Sequence, residues 1–435
     1  MNKMNQMVKS VFGNIFHALK HRNFRLFFTG QSVSLIGTWM QYVAMSWLVY
    51  RLTGSAFMLG VVNFAAQLPF LILGPFAGIL VDRVNRHKLL IVVQTISMLQ
   101  AFTLAILALS GVITVKQIIV LGFILGTVNS FEIPARHAFV LNMVGNNKND
   151  LGNAIALNSF IFNLARFVGP LIAGLFIGWF GEGACFLMNS VSFFAVISSL
   201  LLMRIKTVKS EKKKDSVFRD MTEGFKYTFG SVPIRQILML VSVISLMASA
   251  YMVVLPVIAK NVLHGGPATL GLLMAGLGIG CFLATIFLAA NRNKSILADL
   301  LPGSALIFSV SVIIGAFCTT LWFAIPLLAV AGFGIMVNMA GSNIILQTIV
   351  DDDKRGRVMS FYTMAFLGVA PVGSFLAGSM ISGIGVVAAL VVSGLGCLAA
   401  SIYFMRSMAE LRKDIERRVE LSGVVKVSSD ISTPE

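Results

Sequence analysis

Apolar stretches of about 20 residues, long enough to cross hydrocarbon as helices, recur from end to end of the 435-residue chain. A segment in lipid must satisfy its own backbone groups, so a chain built this way folds as a bundle of spanning helices. Twelve stretches fit, at 24–50, 56–81, 89–110, 115–143, 151–178, 184–203, 234–259, 268–290, 300–318, 321–350, 356–382 and 386–405. Charged residues are only 12% of the chain, about half the roughly 25% of soluble domains. The expected fold class is therefore an all-α polytopic membrane protein. A net charge of +16 would suit nucleic acid, but its distribution does not. Lys and Arg crowd alternate loops, and the other loops hold only Arg51, Lys116 and Lys260. That asymmetry follows the positive-inside rule and predicts both termini in the cytoplasm; no nucleic acid is expected as a partner.

The chain divides by composition. A segment at 1–23 sets Val11, Phe12, Ile15, Phe16 and Leu19 on one helical face, as in a helix at the membrane surface, and lacks a cleavage site. A first six-helix unit is expected over 24–204 and a second over 234–405, with a charged tail at 406–435. Between the units, 205–233 opens with the basic run KTVKSEKKKD and continues with Phe218, Met221, Phe225 and Phe229 at helical spacing, the pattern of an interfacial helix. The units repeat. A shift of 211 residues lays Leu59-Gly60 on Leu270-Gly271, and a shift of 204 lays Gly152 on Gly356, Gly169 on Gly373 and Ala173-Gly174 on Ala377-Gly378. Two related bundles around a central path are the architecture of alternating-access transporters.

The turn GILVDRVNRHKLL, residues 78–90, concentrates charge between two spans. Asn85 there is among the few non-glycine residues that tolerate a left-handed turn. Its order of Gly78, Asp82, Arg83, Arg86, Lys88 and Leu90 resembles the signature loop between helices 2 and 3 of the major facilitator superfamily, with Asn85 in place of a glycine. The resemblance implies that fold, with twelve helices in two pseudo-symmetric bundles. It also implies an inner latch in which Asp82 meets the helix beginning near Gly356, and Glu132 meets Arg86. Glu132 and Arg136 stand four apart on one face of helix 4, spaced as an ion pair. The alternative is a purely structural cluster.

Helix 5 carries Arg166, Gly169, Pro170 and Gly174. Pro170 leaves the carbonyl of Arg166 without its helical donor, and the small residues allow close helix contact. The run G-P-x-x-A-G resembles the helix 5 motif of the superfamily's antiporters, without that motif's upstream glycines. A cation within a span faces a cavity or a partner, so Arg166 is read either as a ligand for an anionic substrate group or as a structural arginine. The runs FRLFFTGQSVSLIGTWMQ, NAIALNSFIFNLAR and RGRVMSFYTMAFLG resemble the third drug:proton antiporter group, which includes macrolide and enterobactin exporters. That likeness implies a monomeric exporter of a small amphipathic molecule in a bacterial-type inner membrane, among lipids, with a proton gradient and no cofactor. Helix 1 lacks the acid of several drug exporters, which leaves Glu132 as the proton-coupling candidate.

Candidate cavity residues are Gln31, Trp39, Gln41, Asn63, Gln67, Asn129, Asn163, Tyr251, Asn338, Asn343 and Tyr362, beside Arg166. Cys185, Cys281, Cys318 and Cys397 read as packing residues, and His137 has no second ligand at metal spacing. No nucleophile with a base and no nucleotide loop appears, so an enzyme is not expected. A lipid or lysolipid flippase and a non-transporting receptor stand as the other readings.

Overall fold

The computed structural model describes residues 17–144, 148–204, 217–291, 294–351, 354–406, 408 and 411–412. The helices are α1 (Arg22–Thr53), α2 (Ala56–Arg83), α3 (Arg86–Leu109), α4 (Val115–Val144), α5 (Lys148–Leu201), α6 (Val217–Gly230), α7 (Val232–Val257), α8 (Pro267–Ala290), α9 (Lys294–Gly315), α10 (Leu321–Ile349), α11 (Arg355–Thr363) and α12 (Ala370–Met405). Among the described residues nine helical runs are long and apolar enough to span a bilayer. Two of these fold back at a glycine, Gly181 (φ 78) and Gly385 (φ 84), and each supplies two spans. With α1, richer in polar residues, this makes the expected twelve. The segment at 11–19 falls largely outside the described residues, as does most of the tail.

Turn chemistry sets the span ends. Gly54 closes α1 in the left-handed region (φ 60), and its N–H donates to the Tyr50 carbonyl. The Ser55 hydroxyl then accepts from the N–H of Met58 and starts α2. Asn85 departs from expectation: at φ −70 it is extended, not left-handed, because its side chain accepts from the Lys88 N–H at 3.1 Å and caps α3. Helix 11 departs too. Its span is α11, a π-turn at Met364–Gly368, and the first arm of α12. Pro371 has no N–H and crowds the carbonyl four residues back, so the ladder slips there; Ser245 of α7 donates to the Phe366 carbonyl beside the slip.

Within the first bundle α1 packs on α5, α3 on α5 and α2 on α4; within the second α7 packs on α12, α8 on α10 and α9 on both α10 and α12. The bundles meet through α2 with α12 and α5 with α8. Both crossings are backbone-tight. A Cβ on Gly271 would lie 2.5 Å from the Pro170 carbonyl oxygen and 2.9 Å from the Cα of Gly174; one on Gly378 would lie 2.8 Å from the Ala56 carbonyl oxygen and 3.0 Å from the Cα of Gly60. These four glycines are the repeated ones of the sequence. All lie about two turns or less from the ends carrying Gly54, Gly181 and Gly385, here termed the hairpin face. The described ends of the chain and α6 lie at the other, the terminal face.

Candidate functional site: three polar layers

In the terminal half of α4, Arg136 Nε donates to Glu132 Oε1 at 2.9 Å, and the two side chains are only 8% and 12% exposed. Pro134 stands between them inside α4. The basic turn that resembles the family loop is pinned to the bundle by His87, whose Nε2 lies 2.8 Å from the Leu200 carbonyl and whose ring stacks on Phe139. Arg83 and Lys88 are exposed, and Arg86 is engaged in a contact of its own. Gly78 and Gly356 have open space around them. The side chain of Asp82 is outside the described residues, and with it the expected contact to the start of α11.

One cluster at the terminal face had no signal in the sequence. A short 3-10 turn, His17–Lys20, is clamped to the start of α5: His17 Nδ1 lies 2.6 Å and His21 Nε2 2.9 Å from the two carboxylate oxygens of Asp150. The Ala18 N–H donates to Asn153 Oδ1 at 2.9 Å. Asn23 and Arg204 exchange two bonds, tying the same corner to the end of α5. The partners are more than 100 residues apart, beyond any local spacing rule.

Fifteen residues before the Gly181 turn on α5, the guanidinium of Arg166 stands 5.5 Å from the ring centre of Trp39 on α1. Tyr42 and Phe162 rings flank that indole at 5.9 and 6.0 Å. Gly169, one turn beyond Arg166, permits this approach: a Cβ there would lie 2.5 Å from the Cβ of Trp39. The Arg166 carbonyl, deprived of its helical donor by Pro170, lies against Gly278 of α8, where a Cβ would meet it at 2.7 Å. Arg166 is thus a partly exposed cation at a junction of α1, α5 and the opposite bundle, and it holds an aromatic wall. Such an arrangement binds an anion together with an aromatic or apolar body.

The remaining predicted cavity residues separate into groups. Gln41 is buried in a chain of amides, accepting from Asn189 at 2.7 Å and donating to Gln100 at 3.1 Å, which donates in turn to the Leu121 carbonyl. It ties α1, α3, α4 and α5 together, so it serves helix packing and not a cavity wall. Asn338 donates to the Leu301 carbonyl at 3.1 Å, and Tyr251 is buried beside Phe308; both are interior to the second bundle. Gln31 and Asn163 are buried, each with an amide oxygen that has no hydrogen-bond partner. Asn63 and Gln67 on α2, and Asn129 on α4, are partly exposed. Asn343 accepts from Gln347 at 2.6 Å, one turn along α10, and Tyr362 donates to the Met339 carbonyl at 2.8 Å.

At the hairpin face the two bundles touch directly. Asn261 Nδ2 donates to the Tyr50 hydroxyl at 2.8 Å, and Lys260 Nζ stands 5.6 Å from the centre of the same ring. Both second-bundle residues are presented by a π-turn, Ile258–Val262, that continues α7. Tyr50 and Asn261 are 211 residues apart, the interval that superposes Gly60 on Gly271. Equivalent positions of the two halves therefore touch each other across their pseudo-two-fold axis. Beside them Arg51 forms a two-pronged pair with Glu182, at 2.7 and 3.1 Å, which fastens α1 to the Gly181 hairpin. Glu182 is itself buried beside the Gly181 turn, as is Asp150 at the terminal face; local spacing in the sequence marks neither.

A family model described as transmembrane secretion effector matches residues 14–421. The chain belongs to this family of the major facilitator superfamily. It is 26% identical to the staphyloferrin A transporter of Staphylococcus aureus, over 89% of this chain and 97% of that protein. It is 24% identical to the multidrug efflux pump Tap of Mycolicibacterium fortuitum (86% and 93%) and 24% identical to macrolide efflux protein A of Streptococcus pyogenes (84% and 92%). Its fold matches that of a bacterial homologue of the human lysosomal transporter Spinster, in an inward-facing and unoccupied conformation, with a TM-score of 0.61, 11% identity and coverage of 92% and 98%. As a secretion effector the protein is a membrane transporter and not an enzyme. Its glycine crossings and the Tyr50–Asn261 contact join the bundles at the hairpin face.

Proposed function

We propose that the protein is a secondary active exporter of an amphipathic small molecule bearing an anionic group, working by alternating access in exchange for protons. The observation that carries the reading is Arg166 beside Trp39 at the crossing of α5 and α8. A partly exposed cation within a span offers charge to a carboxylate or catecholate, while Trp39, Tyr42 and Phe162 offer surface to its apolar body. The name of the staphyloferrin A transporter places a siderophore among the cargoes of a relative, in keeping with an anionic substrate. With the termini in the cytoplasm, as the positive-inside pattern predicts, the hairpin face is the outer face and the conformation is closed to the outside.

Proton exchange is assigned to Glu132. Its carboxylate is nearly closed off from the surroundings and is neutralised by Arg136. A proton on Glu132 would release Arg136, and a released cation at the inner face would alter the balance between bundle arrangements. The test is efflux from proteoliposomes of macrolides, cationic dyes and catecholate siderophores, with and without an imposed proton gradient. Gradient-dependent export of a siderophore class, lost in Arg166→Ala, is expected. Export that ignores the gradient overturns the proton role; siderophore export undiminished in Arg166→Ala overturns the anion role. Transfer of labelled lipid between leaflets in place of efflux would make the protein a flippase.

A further inference from the structure

The transport reading gives no part to the titratable cluster where the chain enters α1. His17 and His21 place Nδ1 and Nε2 on the two oxygens of a single carboxylate, Asp150, whose side chain is only 7% exposed. An ionised carboxylate accepts and cannot donate, so both ring nitrogens must carry hydrogen there. A neutral imidazole has one hydrogen and holds such a contact in one tautomer only. A protonated ring has both hydrogens and adds its charge to the bond. The rings bond directly, at 2.6 and 2.9 Å, which leaves no space for an ion between ring and carboxylate. The clasp also seats apolar surface: Ala18 is buried in the same cluster as Phe24, Ala154 and Leu157.

The other charges around the cluster are turned elsewhere. On α1, Arg22 donates to the Leu202 carbonyl at 3.1 Å and Arg25 is exposed. Lys20, on the turn itself, and Arg204, past the end of α5, are exposed too, and the side chain of Lys148 lies outside the described residues. Among the described residues the two imidazoles are the cationic groups within ion-pair reach of Asp150. The second bundle repeats the fastening with other chemistry. Its lead helix α6 precedes α7 as the 3-10 turn precedes α1, and Tyr227 of α6 donates to Asp351 at 3.0 Å, just before α11. The side chains of Phe218 and Met221, which complete the apolar face of α6 in the sequence, are outside the described residues. A phenol keeps its proton between pH 5 and 8, the range in which an imidazole loses one.

We infer that the clasp of His17 and His21 on Asp150 is a pH-sensitive fastening, closed when its side of the membrane is acidic and loosened as that side turns alkaline. A proton on either ring gives Asp150 a charged donor that exists only while the clasp is closed. The closed form therefore binds more protons than the open one, and by linkage it loses ground as the pH rises. Closed, it joins the lead of α1 to the start of α5, beside the two Asn23–Arg204 bonds that reach the end of α5. Open, those bonds hold the corner alone. The Tyr227–Asp351 fastening of the other bundle has no imidazole and does not respond. The inference goes beyond the transport reading and holds for any substrate.

The test measures distances by pulsed electron paramagnetic resonance on the full chain in proteoliposomes. Cys318, the partly exposed cysteine, is replaced by serine, and the other three are buried. One label pair, Lys20→Cys with Lys88→Cys, reports the clasp within the first bundle; another, Lys226→Cys with Gln347→Cys, reports α6 within the second. All four positions are exposed. Between about pH 5.5 and about pH 8, the range of imidazole titration, the released population of the first pair is expected to rise about fivefold. That is the ratio given by the roughly 1 kcal/mol separating a charged from a neutral hydrogen bond. The second pair should stay fixed. His17→Gln with His21→Gln keeps neutral donors and should flatten the response, whereas Asp150→Asn should raise the released population at both pH values. A first pair that ignores pH, release on acidification, a response that survives the double glutamine variant, or equal movement of the second pair would each overturn the inference.

Discussion

The two six-helix bundles share a scaffold and differ in what it holds. Gly126 sets α4 against the Ala66 carbonyl of α2, and Gly332 sets α10 against the Leu277 carbonyl of α8, with almost the same lack of room for a Cβ. Six and ten residues beyond Gly126 stand Glu132 and Arg136; six and ten beyond Gly332 stand Asn338 and Ser342. Three residues before Gly169 stands Arg166, and three before Gly373 stands Ala370, two residues past the π-turn. The first bundle keeps an intact helix and places charge in it. The second has no charge at these positions and a slipped hydrogen-bond ladder. Backbone contact demands a small residue at both places, because nothing larger fits; side chains beyond the contact are under no such constraint and are free to diverge. Charge chemistry has gathered in one half and backbone compliance in the other.

The sharpest way to break the comparison is to remove the acid that only one half possesses. Glu132→Ala leaves Arg136 buried without its counter-charge, a loss of about 3–5 kcal/mol, and should appear as a large fall in melting temperature and folded yield. Asn338→Ala, at the equivalent position, removes a neutral bond worth about 1 kcal/mol and should melt close to the parent protein. Equal losses at both would show that the asymmetry of charge has no energetic meaning.

The shared scaffold is tested at the crossings. Gly271→Val and Gly378→Val each force a branched side chain toward a carbonyl oxygen, at a cost of about 1–3 kcal/mol. The two should lower transport and closure of the hairpin face alike, read by distances between spin labels on the hairpin ends of the bundles. A strong effect at one with none at the other would refute a symmetric seal. Arg166→Ala should weaken substrate binding about tenfold, the scale of a desolvated cation–π contact and its charge, measured by equilibrium binding of the exported compound. Placing arginine at Ala370 in the same variant should not restore it, because no Trp39 stands opposite. The smallest effect is expected from Tyr50→Phe. Losing one hydrogen bond across the axis, worth about 1 kcal/mol, should shift the population toward an open hairpin face about fivefold, and Asn261→Ala added to it should shift it little further.

Much of this was legible beforehand. Twelve spans, their short turns, the pairing of Glu132 with Arg136 by spacing, and the repeated glycines all follow from local pattern. The repeat reported equivalence without contact: Gly60 and Gly271 resemble each other in sequence, yet Gly60 packs on Gly378 and Gly271 on Gly174, the members of a second repeated pair. Polar residues within spans were the least legible. Gln41 and Arg166 both read as cavity candidates, but one is absorbed in an amide chain between helices while the other remains partly exposed. The latch at Tyr50 and the clasp of His17 and His21 on Asp150 carried no signal at all, since their partners lie far along the chain.

The sequence by itself determined that this protein is a bundle of membrane helices, how many spans it has and where each ends. Hydrocarbon leaves a backbone no partner but itself, and charge will not stay in it alone, so those features are written locally. Tertiary structure alone decided which polar groups are satisfied by neighbours, which face is sealed, and that equivalent residues of the two halves meet on their common axis. A buried amide or cation meets the same demand for a partner whether a neighbouring helix or a substrate supplies it, and only the arrangement of the helices settles which one does.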